Sequence, residues 1–208
     1  MKPVTIIRSL AMPLLRDNID TDAIIPSREI RSVGKTGLAD GLFAGWRYTD
    51  PDKRIADPGF VLNDARYANA GILLAGGNFG CGSSREHAAW ALAEYGFKAI
   101  VAASFNPIFY GNCVRNGMVP VQLDARQIWE EISPRSDELT VDLARQSLST
   151  ASGKNWTFSI DAESREMLLR GLDAIELTLQ RADRIEQFRQ RDRLSRPWIY
   201  LSSNENRQ

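Results

Sequence analysis

Four glycines fall within seven residues at 76–82, between the apolar run Ile72 to Ala75 and an alanine-rich stretch that continues to Tyr95. A short apolar run ended by glycine reads as a buried strand. Closely spaced glycines let the backbone take left-handed angles and approach another group. Ser83 and Glu86 then stand in the S-x-x-E spacing of a capping box, which predicts a helix from Ser83 to Tyr95. Strand, glycine turn and helix start together create a place where free N–H groups and the positive end of a helix dipole face outward, and an anion fits there.

Ser83, Ser84 and Arg85 occupy that helix start. A guanidinium can hold a carboxylate through two parallel hydrogen bonds. The same positive field favours the alkoxide of a neighbouring serine. The stretch thus offers a carboxylate clamp beside an oxygen base, although S-x-x-E alone is also what an ordinary capped helix shows. His87 is the only histidine and lies four residues beyond Ser83, so it could assist that hydroxyl or bond to the backbone.

Around this centre the chain alternates. Val4 to Ile7 reads as a first strand, and Pro13 to Pro26 as a loop holding Asp17, Asp20 and Asp22. Those carboxylates suit either backbone capping or a divalent metal, but the glycine and distal glutamate of a calcium loop are absent. Residues 28–47 show no steady period and carry several glycines and cations, the pattern of a mobile loop. Lys98 to Ala103 is a second buried strand, Ser104 to Asn116 a helix started by Asn106 and Pro107 and ended by Gly117, and Val119 to Leu123 a third strand. This is a parallel βαβ core, whose ligand edge lies at the strand C-terminal ends. Asp124 to Ile132 predicts a short helix. Alternation at Leu139/Val141/Leu143 and again at Trp156/Phe158/Ile160 predicts an added antiparallel sheet. Helices follow at Ala162 to Arg170 and Ala182 to Arg193, with a turn or helix at Asp173 to Leu179. The whole reads as one α/β domain over 1–208 with a C-terminal helical extension at about 181–208, whose arginines mark a solvated face or a partner surface.

Charge narrows the function. Lys plus Arg and Asp plus Glu are each 26, so the formal net charge is zero, which argues against a nucleic-acid partner. No apolar run approaches the ~20 residues of a membrane span. The N-terminus lacks a signal-peptide core, so a cytoplasmic protein is expected. Cys81 and Cys113 are the only cysteines. Two thiols cannot ligate an iron–sulfur cluster, which takes about four ligands. No metal is assigned to this chain, and Cys81 reads as a redox thiol or a small packing residue.

The string Asn-Phe-Gly-Cys-Gly-Ser-Ser-Arg-Glu-His-Ala at 78–88 resembles the signature of the aconitase swivel-domain family. Its flanks resemble the isopropylmalate dehydratase small-subunit branch. The matching pieces are Asp17 to Pro26, Gly41-Leu42-Phe43 with Trp46-Arg47, Ser104-Phe105, Ile108 to Asn112 and Gly171 to Ile175, spanning about residues 3 to 190. The resemblance implies a swivelling β/β/α fold. It implies one half of a hydro-lyase that interconverts 2-isopropylmalate and 3-isopropylmalate by dehydration and rehydration in leucine biosynthesis. A related citramalate/citraconate or homoaconitate-type hydratase, or a binding subunit without catalysis, are the alternatives. The resemblance makes Ser83 the catalytic base and Ser84, Arg85, Asp22 and Lys35 substrate-binding residues, Asp22 by orienting the arginine or the serine. Lys35 lies on the 28–47 loop, which by resemblance covers the site; lysine lacks the planar fork of arginine. A 4Fe–4S cluster is expected in a large partner subunit, with a small dicarboxylic hydroxy acid as substrate.

Overall fold

In the structure, a computed structural model that describes residues 1–30, 34–132 and 138–200, the chain opens with two strands that enter different sheets: β1 (Ile6–Ser9) and β2 (Ala11–Leu14). The first strand thus begins later than its expected Val4, and the loop expected from Pro13 begins inside β2. A one-turn helix α1 (Thr21–Ile24), capped by the Asp20 side chain, interrupts that loop. Helix α2 (Ala44–Arg47) leads into a small hairpin of β3 (Tyr48–Asp50) and β4 (Ile55–Ala56).

The core unit follows. Strand β5 (Ile72–Ala75) is buried at every position. Helix α3 (Glu86–Tyr95) carries buried Ala88, Ala89, Ala91 and Leu92, small residues that allow close helix packing. Strand β6 (Ala99–Ala102) is again wholly buried, the pattern of a strand covered on both faces. Helix α4 (Pro107–Arg115) starts where Asn106 accepts the Ile108 N–H, with Pro107 in its first turn. Strand β7 (Val119–Gln122) and helix α5 (Ala125–Glu131), capped by Asp124, complete it. The four strands form a parallel sheet in the order β2-β5-β6-β7. Each edge strand contains a proline, Pro13 in β2 and Pro120 in β7. Proline cannot donate to a ladder and is confined to such edges.

A second sheet, antiparallel and ordered β1-β8-β9-β10, adds β8 (Leu139–Asp142), β9 (Ser147–Thr150) and β10 (Asn155–Thr157). The two alternating segments read as antiparallel strands are both in this sheet, separated by β9, which pairs with both. Helix α6 (Ala162–Arg170) ends at Gly171, whose left-handed φ of 69° closes it. The mixed parallel and antiparallel architecture expected from sequence is therefore present.

Met1–Gly171 forms one compact unit and a second begins at Leu172. In the second, α7 (Ala174–Leu179) carries a reciprocal capping box between Asp173 and Glu176, and α8 (Ala182–Ser195) exposes Ile185 and Phe188. The last eight positions of the expected extension, 201–208, lie outside the described residues.

Of the segment 28–47 expected to be a mobile loop, residues 31–33 lie outside the described residues. From Leu38 onward it belongs to the core instead: Leu38, Leu42, Phe43 and Ala44 are buried. Glu94 of α3 receives the N–H groups of Gly37, Leu38 and Ala39 at 2.6–2.9 Å. The glycines masked this anchor, because the apolar residues between them follow no helix or strand period.

Candidate active site

The glycine-rich turn is held from both sides. On one side, the segment between β2 and α1 takes its hydrogen bonds in series. Gly76 N–H donates to the Arg16 carbonyl (3.0 Å) and Gly80 N–H to the Ile19 carbonyl (2.8 Å). Asn18 and Thr21 donate their N–H groups to the Gly77 and Cys81 carbonyls at 2.9 Å each. On the other side, Phe79 donates to the Ser104 carbonyl and accepts from Asn106 N–H. The turn therefore continues the sheet past the strand ends with backbone pairing, and so acts as a rigid mount. Asp17 accepts the Gly77 N–H at 2.7 Å and pairs with Arg126; these bonds hold its carboxyl below the usual range.

The mount requires glycine at particular positions. Gly80 has φ 74°, and a Cβ there would sit inside the Phe109 ring. Gly76 leaves room for Asp17 and the Arg16 carbonyl, which a Cβ would displace.

Ser83, Ser84 and Arg85 emerge from this mount ahead of α3, and both serines are exposed. The expected capping box is absent. Arg85, in extended backbone at φ −102°, is the N-cap residue and supplies no side-chain cap. The Ser83 carbonyl is turned back to accept Arg85 N–H (2.7 Å) and the Thr21 hydroxyl (2.6 Å). Glu86 does not reach back; it accepts from the Asn116 amide at 2.9 Å. The first serine thus stands just before the helix start, not within it, two residues ahead of Arg85.

Arg85 and Asp22 are brought together. The Arg85 Nη1 donates to Asp22 Oδ1 at 2.6 Å and to Ser27 Oγ at 2.7 Å, and Ser27 donates to the same Asp22 oxygen at 3.4 Å. One nitrogen of the guanidinium is fixed. Among the described residues its other N–H donors make no hydrogen bond, so a planar fork remains for a carboxylate. Lys35 stands apart: it donates to Asn116 Oδ1 at 3.3 Å and lies 5.2 Å from the Trp90 ring centre. Among the described residues it forms no hydrogen bond or ion pair with Ser83, Ser84, Arg85 or Asp22. His87 packs its ring on Trp90 at 4.7 Å. Because the helix begins at Glu86, His87 and Ser83 do not share a helical face.

The sequence reading missed Thr21, Ser27 and Asn116. Thr21 and Ser27 sit within or near the aspartate-rich segment, but nothing local marks them as partners of residues about 60 positions away.

The donor set does not fit a cluster. Cys81 and Cys113 are free, Cys113 is fully buried with its thiol pushed up by burial, and among the described residues no group of three or more His, Cys, Asp or Glu could hold a metal. Among those residues no helix is long and apolar enough to cross a membrane.

The chain is similar to known proteins along most of its length. Residues 1–126 match the aconitase C-terminal domain family. The 3-isopropylmalate dehydratase small subunit of Cupriavidus necator is 53% identical over 206 residues, which cover 97% of this chain and 99% of that one. Its counterpart from Neisseria meningitidis serogroup C is 45% identical, covering 96% of this chain and 99% of that one. The crystal structure of a 3-isopropylmalate dehydratase (leuD) from Methanocaldococcus jannaschii superposes with a TM-score of 0.65 at 29% identity, over 88% of this chain and 99% of its own. The chain therefore belongs to the aconitase C-terminal domain family and, within it, to the 3-isopropylmalate dehydratase small subunits.

Proposed function

We propose that this chain is the small subunit of a cytoplasmic two-chain hydro-lyase that interconverts 2-isopropylmalate and 3-isopropylmalate in leucine biosynthesis. The observation that carries the reading is the Arg85 guanidinium, fixed at Nη1 by Asp22 and Ser27 beside two exposed serine hydroxyls. Ser84 and the remaining N–H donors of Arg85 hold a substrate carboxylate. Ser83, deprotonated beside that positive charge, takes the proton from the carbon next to a carboxylate. The electron pair of the broken C–H bond becomes the second bond of an alkene as the C–O bond on the adjacent carbon breaks. The departing hydroxyl would leave as water with a proton from an acid that the large subunit contributes to the completed site, and readdition of water with exchanged positions, returning that proton to the acid, gives the isomer. Ser83 returns its proton in that second half.

The chain cannot hold a 4Fe–4S cluster itself, so the cluster belongs to the large subunit, and the active site is completed only when the two chains meet. Lys35 reaches the substrate from the covering segment when the site is complete. Side-group preference is set in that segment, and turnover on isopropylmalate, citramalate and homocitrate-type acids separates the family's substrate classes.

The test is reconstitution with the large subunit. The isolated chain is expected to show no dehydratase activity, and Ser83→Ala to abolish turnover in the pair. Wild-type turnover by that variant would refute Ser83 as the base. Arg85→Lys is expected to raise KM, because an ammonium cannot replace a planar fork.

A further inference from the structure

Thr21 is buried, at 1% exposure, and is polar. Its backbone N–H donates to the Cys81 carbonyl at 2.9 Å, and its carbonyl accepts Ile25 N–H at 2.9 Å. Its hydroxyl donates to the Ser83 carbonyl at 2.6 Å. The next residue, Asp22, accepts from Arg85. Two consecutive residues of α1 therefore grip both ends of the tripeptide Ser83-Ser84-Arg85, one through the backbone and one through a side chain.

We infer that Thr21 is a positioning residue for the base, acting through the Ser83 carbonyl; this rests on the reading of Ser83 given above. The Ser83–Ser84 peptide is trans, as no cis bonds occur among the described residues. In a planar trans peptide the C=O and the following N–H point in opposite directions. Fixing the carbonyl on a buried hydroxyl therefore aims the Ser84 N–H away from α1. It also sets the ψ angle of Ser83, and with it the direction in which the Ser83 Cβ–Oγ bond can project. Without the Thr21 hydroxyl, the Ser83 carbonyl keeps, among the described residues, only Arg85 N–H, a bond internal to the tripeptide that moves with it. The buried hydroxyl is the link of this carbonyl to the rigid mount.

The experiment uses the reconstituted two-chain enzyme with 3-isopropylmalate. Thr21→Val keeps the volume and removes the donor; Thr21→Ser keeps the donor. Thr21→Val is expected to lower kcat about 30-fold, the scale of a sub-ångström misplacement of a reacting group, with KM changed less than about threefold. Thr21→Ser should restore kcat to within about threefold of wild type. If Thr21→Val does not fold, as judged by melting and by assembly with the large subunit, Thr21→Cys with its weak donor reads the same split. A Thr21→Val enzyme with wild-type kcat, or equal losses in the Val and Ser variants, overturns the inference. Ser83→Ala in parallel separates the two readings. An active Ser83→Ala enzyme defeats the assignment of the base, whereas an inactive one beside an unimpaired Thr21→Val enzyme defeats the role of Thr21 alone.

Discussion

Replacing Gly80 by alanine tests whether the glycine-rich turn is a rigid mount. Two costs add at this position. The φ of 74° lies in the left-handed region, where a Cβ costs ~1–2 kcal/mol. The new methyl would also overlap the Phe109 ring, and overpacking of a filled core costs about 1–3 kcal/mol. Phe109 is fully buried and packs edge-on against Phe79 at 5.3 Å, so its ring has little room to retreat. The expected loss is roughly 3 kcal/mol, which for a chain of this length lowers Tm by about 6–12 °C. Gly153 provides the control: its φ is 94°, but nothing lies within 4 Å of the place an added methyl would take. Gly153→Ala should therefore show the backbone cost alone, roughly 1 kcal/mol. Urea unfolding of both variants, with the slope checked for constancy, measures the difference. Phe109→Leu added to Gly80→Ala should recover part of the loss, a coupling that independent sites do not show. If Gly80→Ala costs no more than Gly153→Ala, or if the double variant is merely additive, the turn yields and the mount argument fails.

Asp22→Ala in the reconstituted enzyme should lower kcat/KM about tenfold, since a charge-assisted bond at a half-exposed position fixes the Arg85 plane; an unchanged value would show that Ser27 alone suffices. Glu94→Gln probes the anchor of the 37–39 segment. Burial acts to raise the Glu94 pKa, but three backbone N–H groups prevail and the carboxyl is held below its ordinary value. A depressed folded pKa gives stability that is present above the unfolded value of about 4.3 and lost as pH falls through the folded one. The variant should therefore be about 1 kcal/mol less stable at pH 7, with the gap closing below about pH 4; a gap independent of pH would contradict this. A thiol reagent should label Cys81 in the native protein and Cys113 only after unfolding, because Cys113 is buried and burial raises its thiol pKa. Rapid native labelling of both would mean that α4 opens far more readily than its packing implies.

The legible parts of the fold are those where local pattern and burial coincide. Ala99–Ala102 and Ile72–Ala75 read as strands because unbroken apolar runs are what a doubly covered sheet demands. Asn106 and Pro107 announce α4 because their chemistry is local. Strand β9 is hidden in the sequence because Ser147–Thr150 contributes one large apolar side chain, Leu148, and is defined by its neighbours on both sides. The capping box is instructive. Asp173 and Glu176 form one, whereas Ser83 and Glu86 do not. The spacing is the same; the difference is that Asn116, distant in sequence, engages the Glu86 carboxylate that would have closed the second box, while Ser83 stands ahead of the helix with its carbonyl held by the Thr21 hydroxyl. At the site itself, the residue types are visible in the motif, while the partners that orient them are not. Hydrogen bonds spanning 58 to 63 positions leave no periodic trace.

The two edge prolines of the parallel sheet have a bearing on assembly. Pro13 and Pro120 interrupt the free rows of donors on opposite borders. Neither border can accept a complete additional strand, from a second copy or from another protein. Any chain recruited to this sheet therefore has to engage its loops and helices, among them the turn that presents Arg85, and not its borders.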